Sequence, residues 1–423
     1  MQTIMKEKHI PGAAIAIAKK GEIIYQQGFG YRNLEKKKAV TPETIFGIAS
    51  VSKSFTASAI IKLEEEGKLS VTDPIIKHIP ELQLQGVSDM NKIKILHLLS
   101  HTTGIPPLKR KEELNKLKEH ISYLNEEKID LLGEPGEYFS YCNDSFLLLG
   151  IIIERVSGQL YRRYMTENIL NPLRMNRSSY SLEEIAKMDN VSVPYLFNKK
   201  TGQFDETAWP ALGNYEVGGG IRSNVLDLIR YSTLYVNSNP DSVKIISPPQ
   251  VAKMWQPQYK IRENFYYGYA LTITKNHENL TLISHGGGQP GVSSYFGFVP
   301  EEELSVAILT NVSGAPSFKL WVTAVHAALD IPLEQPASKT YAISEALLSI
   351  IEGTYSSLEG GKIQISNHGG QAMANIDGES YPLERTGENL FYVQELEIPI
   401  RFYYKEESTP WAVLYGYRML RRS

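Results

Sequence analysis

One cysteine in 423 residues excludes an intrachain disulfide, and no Cys/His cluster has the spacing of a zinc site. No stretch approaches the ~20 consecutive apolar residues that a helix needs to cross a bilayer, so no membrane span is expected. No apolar leader core with a small-residue cleavage site precedes the first strand-like run. Two alternatives stay open: a cytoplasmic protein, or an extracytoplasmic one whose leader has been removed. A formal net charge of -3 gives no argument for nucleic-acid binding. The lysine-rich patches, Lys36 to Lys38 and Lys109 to Lys118, are interleaved with acids and read as solvated loops. The expectation is therefore chemistry without a metal or a cofactor, carried by side chains alone.

What is present is an ordinary globular composition, 42% hydrophobic over a length that suits two or three domains. One short segment carries unusual chemistry. Ser50-Val51-Ser52-Lys53 lies where the apolar stretch Ile45 to Ala49 gives way to a helix-patterned run. Positions three apart share a helix face, so the Lys53 amine can reach the Ser50 hydroxyl. Burial and the positive end of the helix dipole both favour a neutral amine, which can accept a proton. Spacing alone is weak evidence, because Ser-x-x-Lys also occurs on solvated helices.

Two further segments change the balance. Pro135-Gly136 marks a turn, and Tyr138-Phe139-Ser140-Tyr141-Cys142-Asn143 follows it, ahead of a helical run (Ser145 to Val156) that Asp144 is placed to cap. His285-Gly286-Gly287-Gly288 closes a strand-like run, Leu280 to Ser284. Ser-x-x-Lys, Tyr-x-Asn and Lys/His-x-Gly, in that order, resemble the serine hydrolases of the class C β-lactamase and D-alanyl-D-alanine carboxypeptidase type, the penicillin-binding protein-like family. The resemblance extends to Pro11-Gly12, Gly28-Phe29-Gly30, Leu98 to Ile105, Gly218-Gly219-Gly220 with Ser223 and Asp227, and Gly291 to Ser294. It covers roughly residues 1 to 330.

The resemblance implies a role for each motif residue. Ser50 attacks an acyl carbon and carries the acyl-enzyme, and Lys53 is its base; Ser52 is the weaker nucleophile candidate. Tyr141 delivers the leaving-group proton, helped by a neighbouring positive charge that Lys53 can supply. Asn143 binds the substrate amide and holds Lys53. Gly287 allows close approach of the substrate, and the N–H groups of Gly288 and Ser50 form the oxyanion hole. His285 stands where penicillin-recognising relatives usually carry lysine. A largely neutral histidine, followed by Gly286 rather than threonine, argues against efficient β-lactam hydrolysis and strict carboxylate recognition. Tyr138, Cys142, His97 and His101 are read as structural, and a metal pair at His97 and His101 has no evident third ligand.

The strand-like runs Ala13 to Ala18 and Ile23 to Phe29 form a hairpin at the start. Further runs follow residue 260: Tyr269 to Thr274, Leu280 to Ser284 with Tyr295 to Val299, and Ser305 to Asn311, then a helix over Phe318 to Leu329. The expected fold class is α+β, β-lactamase/transpeptidase-like: an antiparallel sheet flanked by helices, with a helical lobe inserted and the site in the crevice between them. The expected division is a hydrolase domain over 1–332, a linker over 333–342 and a small antiparallel β-barrel over 343–423. Short runs such as Lys362 to Ser366, Gln371 to Ile376, Leu390 to Val393, Pro399 to Tyr404 and Trp411 to Tyr417 support the barrel. This appendage resembles the lipocalin-like domain of some of these hydrolases, linked there to assembly or to partial covering of the site. No catalytic constellation is read in it, and His368 and Glu384 are taken as surface residues. The expected ligand is a small ester, peptide or β-lactam. Acyl-enzyme hydrolysis is the first reading, with D-residue peptides among its substrates. A penicillin-binding or sensing protein with little turnover is the second. The C-terminal barrel is the expected surface for homo-oligomer formation.

Overall fold

The run Gly12–Lys19 (β1) alternates small and large apolar residues because both of its faces are covered. In the computed structural model, which describes residues 1–236, 243–333, 339–405 and 409–423, β1 lies inside a nine-stranded antiparallel sheet. Successive strand side chains point to opposite faces. Ala14, Ala16 and Ala18 therefore face a core containing Phe46, Phe55 and Phe296. Ala13, Ile15 and Ile17 face Trp321 and Val325.

The remaining strands are β2 (Glu22–Asn33), β3 (Lys38–Ala39), β4 (Tyr259–Arg262), β5 (Phe265–Tyr267), β6 (Thr272–His277), β7 (Leu280–Gln289), β8 (Val292–Val299) and β9 (Leu304–Thr310). Their order is β3-β2-β1-β9-β8-β7-β6-β5-β4, so both ends of this part of the chain build one sheet. The expected strand at Tyr269 starts later, at Thr272. The expected end of a strand at Ser284 is instead its middle: β7 continues through the glycines, with Gly287 opposite Ser294 and Gly288 opposite Ser293. Pairing on both sides overrides the low strand preference of glycine.

Between β3 and β4 the chain forms the helical lobe. Its central helix α1 (Ser52–Glu65) is buried almost all round, polar residues included. Its few hydroxyls are satisfied internally; Ser54 donates to the Val51 carbonyl and Thr56 to that of Val217. α2 (Asn143–Ser157) packs beside it and ends at Gly158, whose φ of 72° suits a left-handed C-cap. Asp144 does not cap α2. It lies in the first turn, accepting from His120 at 2.7 Å and from the Tyr215 hydroxyl at 3.0 Å. α3 (Ser317–Ala328) covers the opposite face of the sheet.

The C-terminal segment forms a second nine-stranded antiparallel sheet. Its strands are β10 (Gly353–Ser356), β11 (Lys362–His368), β12 (Gln371–Ile376), β13 (Glu379–Pro382), β14 (Glu384–Arg385), β15 (Leu390–Val393), β16 (Ile398–Tyr404), β17 (Pro410–Tyr415) and β18 (Arg418–Arg422). The order β13-β12-β11-β10-β18-β17-β16-β15-β14 ends on two strands separated by Leu383 alone, so the sheet curls into a nearly closed barrel. Tyr355, Ile363, Phe391, Phe402 and Val413 fill it. The expected linker falls partly on 334–338, outside the described residues. The run Trp411 to Tyr417 is not one strand; it turns at Gly416 (φ 58°) and Tyr417 into β18. This last hairpin is joined to the rest by a separate apolar cluster, in which Ala412, Leu414 and Met419 pack with Leu132, Phe139, Ile261 and Tyr267.

Trp321 fills the contact between α3 and the sheet, and its indole N–H donates to the Val306 carbonyl at 3.0 Å. Trp321→Ala is expected to cost about 3–5 kcal/mol, read as a lower denaturant midpoint; an unchanged midpoint would contradict this packing.

Candidate active site

A short strand pair, Phe46–Gly47 with Arg222–Ser223, anchors the chain just before Ser50. A 3-10 turn, Ala49–Val51, then leads directly into α1. Ala49 is buried with φ 45°, a left-handed conformation that costs an L-residue roughly 1–2 kcal/mol. The strain sits immediately before the hydroxyl it presents. Ser52 faces away from the site, where its Oγ accepts from the Ile221 N–H at 3.2 Å.

Lys53 is 1% exposed. Its Nζ lies 2.9 Å from Asn143 Oδ1, 2.9 Å from the Gly218 carbonyl and 3.5 Å from Ser50 Oγ. Burial pushes its proton affinity well below the ordinary lysine value; Arg110 and Arg418 push the same way, with Glu359 and Cys142 opposing. A neutral amine has two N–H donors and one lone pair. Asn143 and Gly218 take both donors, which leaves the lone pair for Ser50. Gly218 is required here, because a Cβ at that position would stand 2.7 Å from Nζ.

The Tyr141 ring lies 4.9 Å from Lys53 Nζ and packs at a tilt against His101. Its hydroxyl is buried and, among the described residues, closes no hydrogen bond of good geometry, although Ser50 stands close enough to favour its ionised form. Burial dominates and raises its pKa above the ordinary phenol value; Ser50, Arg418 and Arg110 offset this only in part. Arg418 and Arg110 thus add positive charge near Tyr141 besides the Lys53 amine that the sequence points to. Tyr141 is a protonated phenol, suited to donate.

His285, in β7, is buried with its pKa lowered to about 3, by burial first and then by Lys53. Its Nδ1–H donates to the Gly286 carbonyl at 2.6 Å, and Nε2 accepts from the Tyr267 hydroxyl at 3.1 Å. Both nitrogens are committed, in keeping with a neutral ring. Gly287 passes so near the nucleophile turn that a Cβ would meet the Ile48 carbonyl at 2.4 Å. Gly288 follows it along the same strand, so β7 runs beside Ser50.

The barrel supplies residues that the sequence reading left out. Glu359 accepts from Asn143 Nδ2 at 2.9 Å and from the Arg418 guanidinium. The Arg418 guanidinium carbon is 5.2 Å from the Tyr141 ring centre. The Tyr417 carbonyl accepts from the Tyr141 N–H at 2.7 Å, and Ser140 Oγ accepts from the Met419 N–H at 3.1 Å. A cavity of about 280 Å³ is lined by Ser50, Tyr141, Tyr267, Thr272, His285, Gly286, Gly287, Gly288, Tyr295, Tyr417 and Arg418. A wider cleft of about 660 Å³ on the helical lobe contains none of the motif residues, and the chemistry lies in the smaller one. Nothing in the sequence around Glu359 or Arg418 marks these residues for the site.

The residues read as structural occupy such places. Cys142 is buried, its thiol pushed up to about 12 by burial and then Asp144, so it is no nucleophile. His101 Nδ1 accepts from the Cys142 N–H, and His97 Nδ1 from the Lys94 N–H. Tyr138 packs edge-on against Tyr403 and Trp411 of the barrel.

Gly218→Ala is expected to displace the Lys53 amine and slow labelling by a fluorophosphonate about 100-fold or more, with unchanged circular dichroism. A wild-type rate would contradict the assigned contact. Arg110→Gln removes a positive charge near Lys53, so the amine becomes more basic. The acid limb of the labelling rate is then expected to move to higher pH; a shift to lower pH or none would contradict the electrostatic account.

Comparisons with known proteins agree with this architecture. Penicillin-binding protein 4* of Bacillus subtilis is 26% identical, over 98% of this chain and 96% of its own length. Protein flp of Staphylococcus aureus is 28% identical over 73% of this chain, a match that takes in only 61% of that protein. The octameric penicillin-binding protein homologue from Pyrococcus abyssi superposes with a TM-score of 0.74 at 32% identity, covering 99% of this chain and 97% of that one. SurE shares the fold at a TM-score of 0.77 and 20% identity, covering 100% and 97%. The Beta-lactamase family matches residues 1–330, and the chain belongs to that family.

Proposed function

We propose that this protein is a serine hydrolase that works through an acyl-enzyme on Ser50, acting on small esters or on peptides and amides, including those with D-residues. The observation that carries this reading is the buried Lys53 amine, with both N–H donors engaged and Ser50 Oγ as its remaining neighbour. In acylation Ser50 Oγ attacks the acyl carbon and its proton passes to Lys53. The oxyanion is held by the Ser50 and Gly288 N–H groups, where each donor is worth roughly 3 kcal/mol. Tyr141 gives its proton to the leaving group and recovers one from Lys53. Water then attacks the acyl-enzyme by the same route in reverse. Asn143 keeps Lys53 oriented throughout.

Ser50→Ala is expected to abolish ester hydrolysis and fluorophosphonate labelling, and retention of both would reject the assignment. Lys53→Ala is expected to slow acylation about 1000-fold; an unaltered rate would remove Lys53 from the role of base.

The penicillin-binding character of the relatives favours a second reading, a protein that acylates with β-lactams and turns over slowly. Intact mass after adding a β-lactam separates the two: a persistent adduct supports the binding protein and rapid loss supports the hydrolase. By analogy with the octameric homologue, we also propose self-association through the barrel, read by light scattering of the purified chain.

A further inference from the structure

We propose that Arg418, carried into the active site by the last hairpin of the barrel, forms an anion subsite beside Ser50, so that the preferred acyl substrates carry a free carboxylate. This rests on the serine-hydrolase reading and names its substrate class. Among the described residues that line the cavity, Arg418 is the one charged side chain, and no carboxylate lines it. His285, at the position where a lysine would meet an anion, is neutral with both nitrogens engaged. The Lys53 donors are likewise taken. An anionic group entering this cavity therefore has a single cation to meet.

Arg418 is built for that task. Glu359 accepts from its Nε and Nη2, which fixes the plane of the guanidinium before a ligand arrives. Among the described residues Nη1 has no hydrogen-bond partner, and 37% of the side chain is exposed. A preset fork loses little freedom on binding and can make a charge-assisted bond to a carboxylate oxygen. Glu359 does not compete for the ligand, because Asn143 and Arg418 already occupy its two oxygens and it is not among the residues that line the cavity. For the same reason a ligand ammonium has no free partner here. The charge absent from β7 is thus supplied by a strand more than a hundred residues later. The neutral His285 removes the usual lysine without removing carboxylate recognition.

The test uses two matched ester pairs, each a carboxylate and its methyl ester. Meta-acetoxybenzoate places the charge on the leaving group, and the mono-para-nitrophenyl ester of glutarate places it on the acyl group. The readout is the ratio of kcat/KM for the acid to that for the methyl ester. In the full chain, Arg418→Gln is expected to lower this ratio at least about tenfold for one pair, and Arg418→Lys to restore part of it. Glu359→Gln, which removes the opposing charge and keeps one oxygen to accept from the guanidinium, is expected to hold or raise it. A mere strut between Glu359 and Arg418 would make both changes act alike. An unaltered ratio in Arg418→Gln for both pairs overturns the subsite, while loss of all turnover in Ser50→Ala leaves the serine reading standing. Turnover that persists in Ser50→Ala overturns both. Should Arg418→Gln fail to fold, the ratio in the unaltered chain decides, and a value below one for both pairs overturns the preference for a carboxylate.

Discussion

The site depends on one constraint: a lysine amine is enclosed where, among the described residues, no carboxylate touches it. A buried ammonium without a counter-ion is costly, and the protein avoids the cost by letting the amine go neutral. The enclosure is specific. Asn143 and the Gly218 carbonyl accept from Lys53, and the absence of a side chain at Gly218 leaves room for Nζ. Everything else in the proposed chemistry follows from the lone pair that remains. Tyr141, kept protonated by burial, can then act as an acid toward the leaving group instead of competing as a base. The same pocket that makes Lys53 a base makes Tyr141 a donor.

The barrel is part of this arrangement rather than a distant appendage. Its last hairpin shares an apolar cluster with Phe139, Ile261 and Tyr267, next to the second motif. Across that seam run the Tyr141–Tyr417 and Ser140–Met419 hydrogen bonds, which fix the backbone of the second motif. Glu359 then sets the amide of Asn143 so that its oxygen, not its nitrogen, faces Lys53. A chain truncated before the barrel loses these ties, and the orientation of Asn143 is no longer determined. The donor expected to bind a substrate amide is engaged by Glu359 in the protein without ligand, so substrate contact there requires Glu359 to yield.

Much of this was legible in the sequence because the three motifs carry their chemistry locally. Ser50 and Lys53 share one turn, Tyr141 and Asn143 lie two residues apart at the entry to α2, and His285 to Gly288 occupy one strand. The apolar run Ala13 to Ala18 marks a strand in the sequence, and its coverage on both faces emerges only from the packing. What escaped depends on closure between distant segments. The Gly218 carbonyl is a backbone group whose role no side chain reports. Arg418 and Glu359 are an unremarkable arginine and glutamate until the barrel closes and the hairpin docks. Asp144 sits at a helix start and suits a cap, yet the buried His120 and Tyr215 claim its oxygen. The run Trp411 to Tyr417 reads as one strand in the sequence, whereas Gly416 in a left-handed conformation makes the turn.

The most direct measurement of the central claim is an NMR titration of the Lys53 side chain in protein carrying labelled lysine, assigned by comparison with Lys53→Arg. An enclosed, uncompensated amine predicts a Lys53 resonance that titrates well below the ordinary lysine range near ~10.4. A Lys53 that stays protonated up to that range would contradict the account, since Ser50 would then have no base.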